Sequence, residues 1–351
     1  MAGIQYHNPP GLLAGTVILW FLATSSVALR FYSRRWKRQR FIISDWLILA
    51  SSVFGTGLSV LEIYAIATGA LGTPIGGSLE DPATVSDRLN RSKYVEFSFL
   101  LLGVVGLGLL KLSVCFLYWE IFGQVRFRRV LIVWMVVIVG WTLAFFIQLF
   151  AECDSHFSAL WAQVADYTKY CQAAIPGGWA QVGADVATDV ITLIIPIPVI
   201  LNVQMSRHVK VLTLLIFSIG TLSVAASTVK AYIYISATLN RYSDDALLTL
   251  TGVSIWNLAE IHIGTMAACG PTLRSILVNI VPTQSAVSLL NSWRRPSRQA
   301  ASEQSSNYAK MGASEERLGA GATMKDQSDV EAEAGISSKR LDSYELQPRV
   351  D

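Results

Sequence analysis

Charge is what this sequence has least of. Asp, Glu, Lys and Arg supply 15% of its 351 residues and hydrophobic side chains 52%, where a soluble domain carries about 25% charge. With a mean hydropathy of +0.44, the chain is too oily for an ordinary water-soluble protein and belongs in a membrane. Equally absent are a nucleophile elbow, a phosphate loop and any zinc-ligand spacing, so the sequence signatures of the corresponding enzymes and metal sites are excluded. No internal repeat is visible, which argues against a transporter built from inverted halves. No nucleic acid, metal or cofactor is expected as a partner.

What is present is a series of seven apolar stretches, near residues 11–32, 44–68, 95–122, 130–151, 180–203, 211–236 and 247–270. Each has the length, about 20 residues, that a helix needs to cross roughly 30 Å of hydrocarbon. The expected fold is an all-α membrane protein, a seven-transmembrane-helix bundle over residues 11–282, with a short outer N-terminus at 1–10. The first stretch runs into basic residues without a small-residue cleavage site, which reads as a retained signal anchor.

Cations gather in alternate connections. RRWKRQR, with Arg34, Arg35, Lys37, Arg38 and Arg40, follows the first stretch; Arg126, Arg128 and Arg129 follow the third. Arg207 and Lys210 follow the fifth, and Arg274, Arg294, Arg295 and Arg298 the seventh. The positive-inside rule then puts the N-terminus outside and the C-terminus in the cytosol, in the plasma membrane or a membrane of the secretory pathway. The basic loops also offer a docking place to anionic lipid or a cytosolic signalling partner.

Cys153 and Cys171 share the connection between the fourth and fifth stretches, which this topology assigns to the outside, where disulfides persist. A bridge is expected there, while Cys115 and Cys269 read as small hydrophobes within helices. Asn90-Arg91-Ser92 is a glycosylation sequon in another outer connection. From about residue 283, Ser, Ala, Gly, Gln and charges of both signs dominate and aromatics nearly vanish. Such a composition cannot bury enough surface to fold, so 283–351 is expected to be a disordered cytosolic tail.

Several segments together resemble one family. Asp45 opening the second helix, KLSVCFLYWEIF in the third, the Cys153–Trp161–Cys171 loop, ATDVITLIIPIPVILNVQM and WNLAEIHIGTMAACGPTLRSIL are similar to fungal rhodopsin-domain integral membrane proteins. The satratoxin-cluster membrane protein typifies that family, which is similar to seven-helix receptors proposed for fungal pathogenicity. The resemblance covers residues 11–280 and implies an association with secondary metabolism or with small-molecule sensing. The chain departs from the family's usual paired acids at Ser44-Asp45, and has Asp185 and Lys230 where Asn and Arg are frequent. No retinal is expected despite the family's name, because the seventh stretch, Leu247 to Gly270, contains no lysine. The third stretch ends YWEIFGQVRFRR and the seventh MAACGPTLRS, so the Asp-Arg-Tyr and Asn-Pro-x-x-Tyr signatures of ordinary G-protein-coupled receptors are missing.

Within the fifth stretch, Asp185 and Asp189 stand one helical turn apart and share a face. Ionisable groups in hydrocarbon cost about 2.5 kcal/mol or more each, so these should point into the bundle. Lys111, Lys230, Glu260, Glu62 and His262 are expected to join them in one polar layer, with Asp189, Lys111, Lys230 and Glu260 at its centre. Carboxylates outnumber lysines there, so one should take a proton, hold a cation or meet a polar ligand in a pocket opening outward. Pro196 and Pro198 predict a kink in the fifth helix.

Two functions suit this pattern. One is a receptor-like, non-enzymatic role in small-molecule sensing or secondary-metabolite biosynthesis, with a small lipophilic molecule as partner. The alternative is an intramembrane cyclase or isomerase acting on a lipophilic biosynthetic intermediate, with Asp189, Glu260 and His262 as candidate acids and bases. Glu260 and His262 lie about 200° apart on a helix, which disfavours a shared substrate.

Overall fold

The computed structural model describes residues 8–73, 82–153, 156, 160–161, 169–202, 207–239 and 246–280, and the regular structure among them is helical. Seven long helices follow in order: α1 Pro9–Trp36, α2 Ile43–Ala67, α3 Pro82–Ile121, α4 Val125–Ala151, α5 Ala174–Ile194, α6 Arg207–Leu239 and α7 Ala246–Ile280. A six-residue helix, Ile197–Asn202, follows α5. Every expected stretch corresponds to one long helix, and the fifth also takes in the six-residue helix. Several helices outrun their apolar stretch: α3 begins at Pro82 and α4 at Val125. Helical hydrogen bonds form inside the segment whatever surrounds it, whereas apolarity marks only the part that hydrocarbon must cover.

The chain divides into a unit Met1–Thr283 and a second unit Gln284–Asp351. The second unit, and with it the tail expected at 283–351, lies outside the described residues. The loop acids Glu80, Asp81, Asp154, Asp166, Asp244 and Asp245 lie outside them too.

Six of the seven long helices are apolar and long enough to cross a membrane. Large apolar side chains such as Ile18, Phe21, Val53, Val60, Val133, Val136, Leu143 and Ile147 face outward, a surface that lipid rather than water solvates. The chain is a multi-pass membrane protein. The seventh helix, α7, packs against α1, α2, α3 and α6 and buries Thr251, Ser254, Glu260, His262 and Thr265. Its interior position tolerates polar groups that a lipid-facing helix could not carry.

Local signals account for the helix ends. Asn8 caps α1 by accepting from the Gly11 N–H at 3.3 Å, with Pro9 and Pro10 at the first helical positions. At the other end of α5, Pro196 and Pro198 lack the N–H groups that would bond the carbonyls of Thr192 and Ile194. The helix stops at Ile194 and resumes at Ile197, the expected break. Ile48, Leu58, Phe99, Leu107, Leu110, Trp141, Leu258 and Ile261 form the main core. Gly106 permits this close approach, since a Cβ there would sit 2.8 Å from Ile261 Cδ1 and 3.1 Å from Phe54 Cβ.

Cys153 and Cys171 form the expected disulfide. Trp161 within the bridged loop stacks on Tyr94 at 4.4 Å and meets Phe97 edge-on at 5.4 Å, which sets this side chain against α3. The sequon is placed differently from expectation. Asn90 is exposed, yet it lies inside α3, and the buried Ser92 hydroxyl donates to the Leu89 carbonyl at 2.9 Å. Helix formation therefore extends through a segment whose polarity suggested a loop.

Candidate functional site

Four helices deliver charged side chains to one point in the bundle interior. Lys111 of α3 donates to Asp185 Oδ1 at 2.7 Å and to Thr188 Oγ1 at 2.7 Å, and pairs with Asp189 Oδ1 at 3.0 Å. Its ammonium also lies 4.6 Å from the centre of the Trp141 ring, a cation–π contact strengthened by desolvation. Lys230 of α6 donates to Asp185 Oδ2 at 2.5 Å, Glu260 Oε2 at 2.6 Å and Asn257 Oδ1 at 3.0 Å. Three acceptors thus meet the three N–H groups of this lysine. Gly103 gives Asn257 room to take part, because a Cβ there would lie 2.9 Å from the Asn257 amide nitrogen.

Asp185 is the hinge pin of this network, with each oxygen serving a different lysine. Asp189 and Glu260 use one oxygen apiece, and Asp189 Oδ2 and Glu260 Oε1 have no partner among the described residues. Three carboxylates therefore face two ammonium groups. Their oxygens come within 4.8 Å of one another, the spacing of a cation-binding set, and the lysines occupy the place such a cation would take.

The single polar layer expected from the sequence is divided. Glu62 of α2 accepts from Ser254 at 3.2 Å, and its second oxygen has no partner among the described residues. His262 shares a hydrogen bond of 2.8 Å with Ser59. Both contacts lie between α2 and α7, whereas Glu260 turns toward Lys230. The helical angle between positions 260 and 262 is the cause, and it separates His262 from Asp189 and Glu260.

Beside the network is a cavity of about 190 Å³ between α3, α5, α6 and α7. Its walls run from Lys111 and Asp189 to Phe122, Pro196, Phe217 and Pro271, toward the end of the bundle opposite the disulfide. Small residues, Gly220, Ser223, Gly264 and Ala267, form part of its wall.

A second charged lock escaped the sequence reading. Arg30, fully buried in α1, donates to Asp45 Oδ1 at 2.9 Å, to Ser44 Oγ at 3.0 Å and to the Ala268 carbonyl at 2.8 Å. Arg34 pairs with Asp45 Oδ2 at 2.7 Å and with Glu120 at 3.1 Å. Arg34 is thus not one of the solvated loop cations, unlike the exposed Arg35, Lys37, Arg38 and Arg40. The signal was present: Arg30 falls inside the first apolar stretch, where a charge needs a buried partner.

Comparison with known proteins agrees with this architecture. The family model described as fungal rhodopsin domain matches residues 29–279. The chain is also similar, at 25% identity over 282 residues, to the polyenoic acids biosynthesis gene cluster protein Ba17b of Metarhizium anisopliae. That alignment covers 76% of this chain and 74% of the relative. No solved structure matches.

Proposed function

This chain belongs to the fungal rhodopsin domain family, and from that premise we propose that it is a receptor-like, non-enzymatic membrane component of a fungal secondary-metabolite system. It takes up a small lipophilic molecule in the bundle interior and answers by rearranging its helices. The observation that carries this reading is the five-residue network of Lys111, Asp185, Asp189, Lys230 and Glu260, which joins four helices, keeps carboxylate oxygens unpaired and borders a cavity. A ligand that engages such a group changes the packing of every helix attached to it.

The relative's name links it to a polyenoic acid biosynthesis cluster, and this supports a setting in secondary metabolism. The orientation follows from the exposed basic residues Arg35, Lys37, Arg38, Arg40, Arg126 and Arg129, which belong on the cytosolic face. The disulfide loop is then outside. Catalysis is the weaker reading because His262 is paired with Ser59 and stands apart from Asp189 and Glu260.

Comparative mass spectrometry of metabolites tests the proposal. The host is compared with a deletion strain, and with that strain restored by wild type or by Asp189→Asn. Loss of a pathway together with its transcripts, or loss only of responses to external compounds, is the expected result. Loss of one product with accumulation of a lipophilic precursor, at normal transcript levels, would replace sensing with catalysis.

A further inference from the structure

Resting on the reading just given, we infer that the cavity beside Asp189 is a binding site for a small lipophilic amine, its ammonium at the Asp189 carboxylate and its hydrocarbon body between α3, α5, α6 and α7. The walls decide the body. Val114, Leu117, Leu193, Phe217, Val224 and Ala267 present hydrocarbon, and apolar cavities of about 150 Å³ stay dry and admit a benzene-sized molecule. At about 190 Å³ this one holds a phenyl ring or a short alkyl chain. It is also elongated: its lining on α3 extends from Lys111 to Phe122, roughly 16 Å at 1.5 Å per residue.

The polar end decides the head group. Lys111 already donates to Asp185 and Thr188, Thr192 to the Thr188 carbonyl, and Ser223 to the Glu260 carbonyl. Asp189, in contrast, lines the cavity with 12% of its side chain exposed and its buried Oδ2 has no partner among the described residues, so this carboxylate has accepting capacity left for a donor. The network behind it holds three carboxylates and two ammonium groups. A third ammonium completes the balance, and a neutral alcohol does not. A carboxylate ligand would add to the excess negative charge, so the free-acid end of a fatty acid is rejected here.

The test uses the full-length chain in lipid nanodiscs and three soluble probes of one chain length: n-hexylamine, n-hexanol and hexanoate. Binding is read as a saturable rise in unfolding temperature and confirmed calorimetrically. Hexylamine is expected to bind at least tenfold more tightly than hexanol, and hexanoate not at all. Asp189→Asn should remove the preference for the amine, while Ala267→Phe should abolish binding with Asp189 intact. Equal binding of amine and alcohol would overturn the inference, because a proton would then already balance the network. So would an amine effect unchanged in both variants, which would mark simple partition into the bilayer. If hexylamine fails and Asp189→Asn still alters the metabolite pattern, the amine inference falls and the proposed function stands. If hexylamine binds as expected and that pattern is unaltered, the reverse holds.

Discussion

At the residue scale, the three buried acids differ in how many of their oxygens are engaged. Both oxygens of Asp185 accept from ammonium groups, so an amide there must turn an N–H toward one lysine. Asp189 and Glu260 can each place an amide N–H on the unpaired side and keep their accepting oxygen. Asp185→Asn is therefore expected to cost about 3 kcal/mol or more, the usual loss when a buried pair is broken. Asp189→Asn and Glu260→Gln should stay within about 1 kcal/mol of wild type. Equilibrium unfolding of the three variants in one mixed-micelle series checks the order. Equal losses would mean that the network is not centred on Asp185. The sequence identified all five charged members, because ionisable side chains in oily segments must turn inward. Which oxygen meets which lysine was not readable, since it depends on the rotation of four helices about their axes.

At the element scale, the proline-weakened turn of α7 is the feature that most needs its neighbours. Pro271 lies inside the helix and removes the N–H that would bond the Ala267 carbonyl. Arg30 of α1 donates to the next carbonyl, that of Ala268, while also holding Asp45. One guanidinium thus ties α1, α2 and the weakened turn of α7. Arg30→Met is expected to destabilise the protein by about 3 kcal/mol or more, because Asp45 keeps only one cationic partner, Arg34, and the Ala268 carbonyl loses its Arg30 donor. Arg35→Met, at an exposed position of the same helix, should change stability by about 0.5 kcal/mol or less. Similar effects from both would show that Arg30 acts only as one more basic residue at the membrane edge. The sequence marked the break in α5 through Pro196 and Pro198, but the partner of the weakened α7 turn lies 238 residues away, beyond the reach of local pattern.

At the scale of the whole molecule, the disulfide ties the end of α4 to the residues just before α5. Cys153 and Cys171 are 18 residues apart, and closing a loop of that length stabilises the folded state by about 3 kcal/mol in the chain-entropy description. The double variant Cys153→Ser, Cys171→Ser is expected to lose an amount of that order. Hydrogen exchange should rise in the loop and the start of α3, where Trp161 stacks on Tyr94, and change little in α7. Uniform exchange across all helices would instead mean that the bridge supports the entire bundle.

The amino-acid sequence by itself determined the environment, the number of helices, the cysteine pair and the need to hide Lys111, Asp185, Asp189, Lys230 and Glu260. These follow from composition, segment length and the cost of charge in hydrocarbon, which are properties of each segment alone. Tertiary structure decided the rest. It made Asp185 the shared partner, turned Glu62 and His262 toward a different helix pair, and set the cavity on the side away from the disulfide. Those outcomes depend on how small residues on separate helices coincide, as Gly220 and Gly264 do at the cavity wall, and no single segment carries that information.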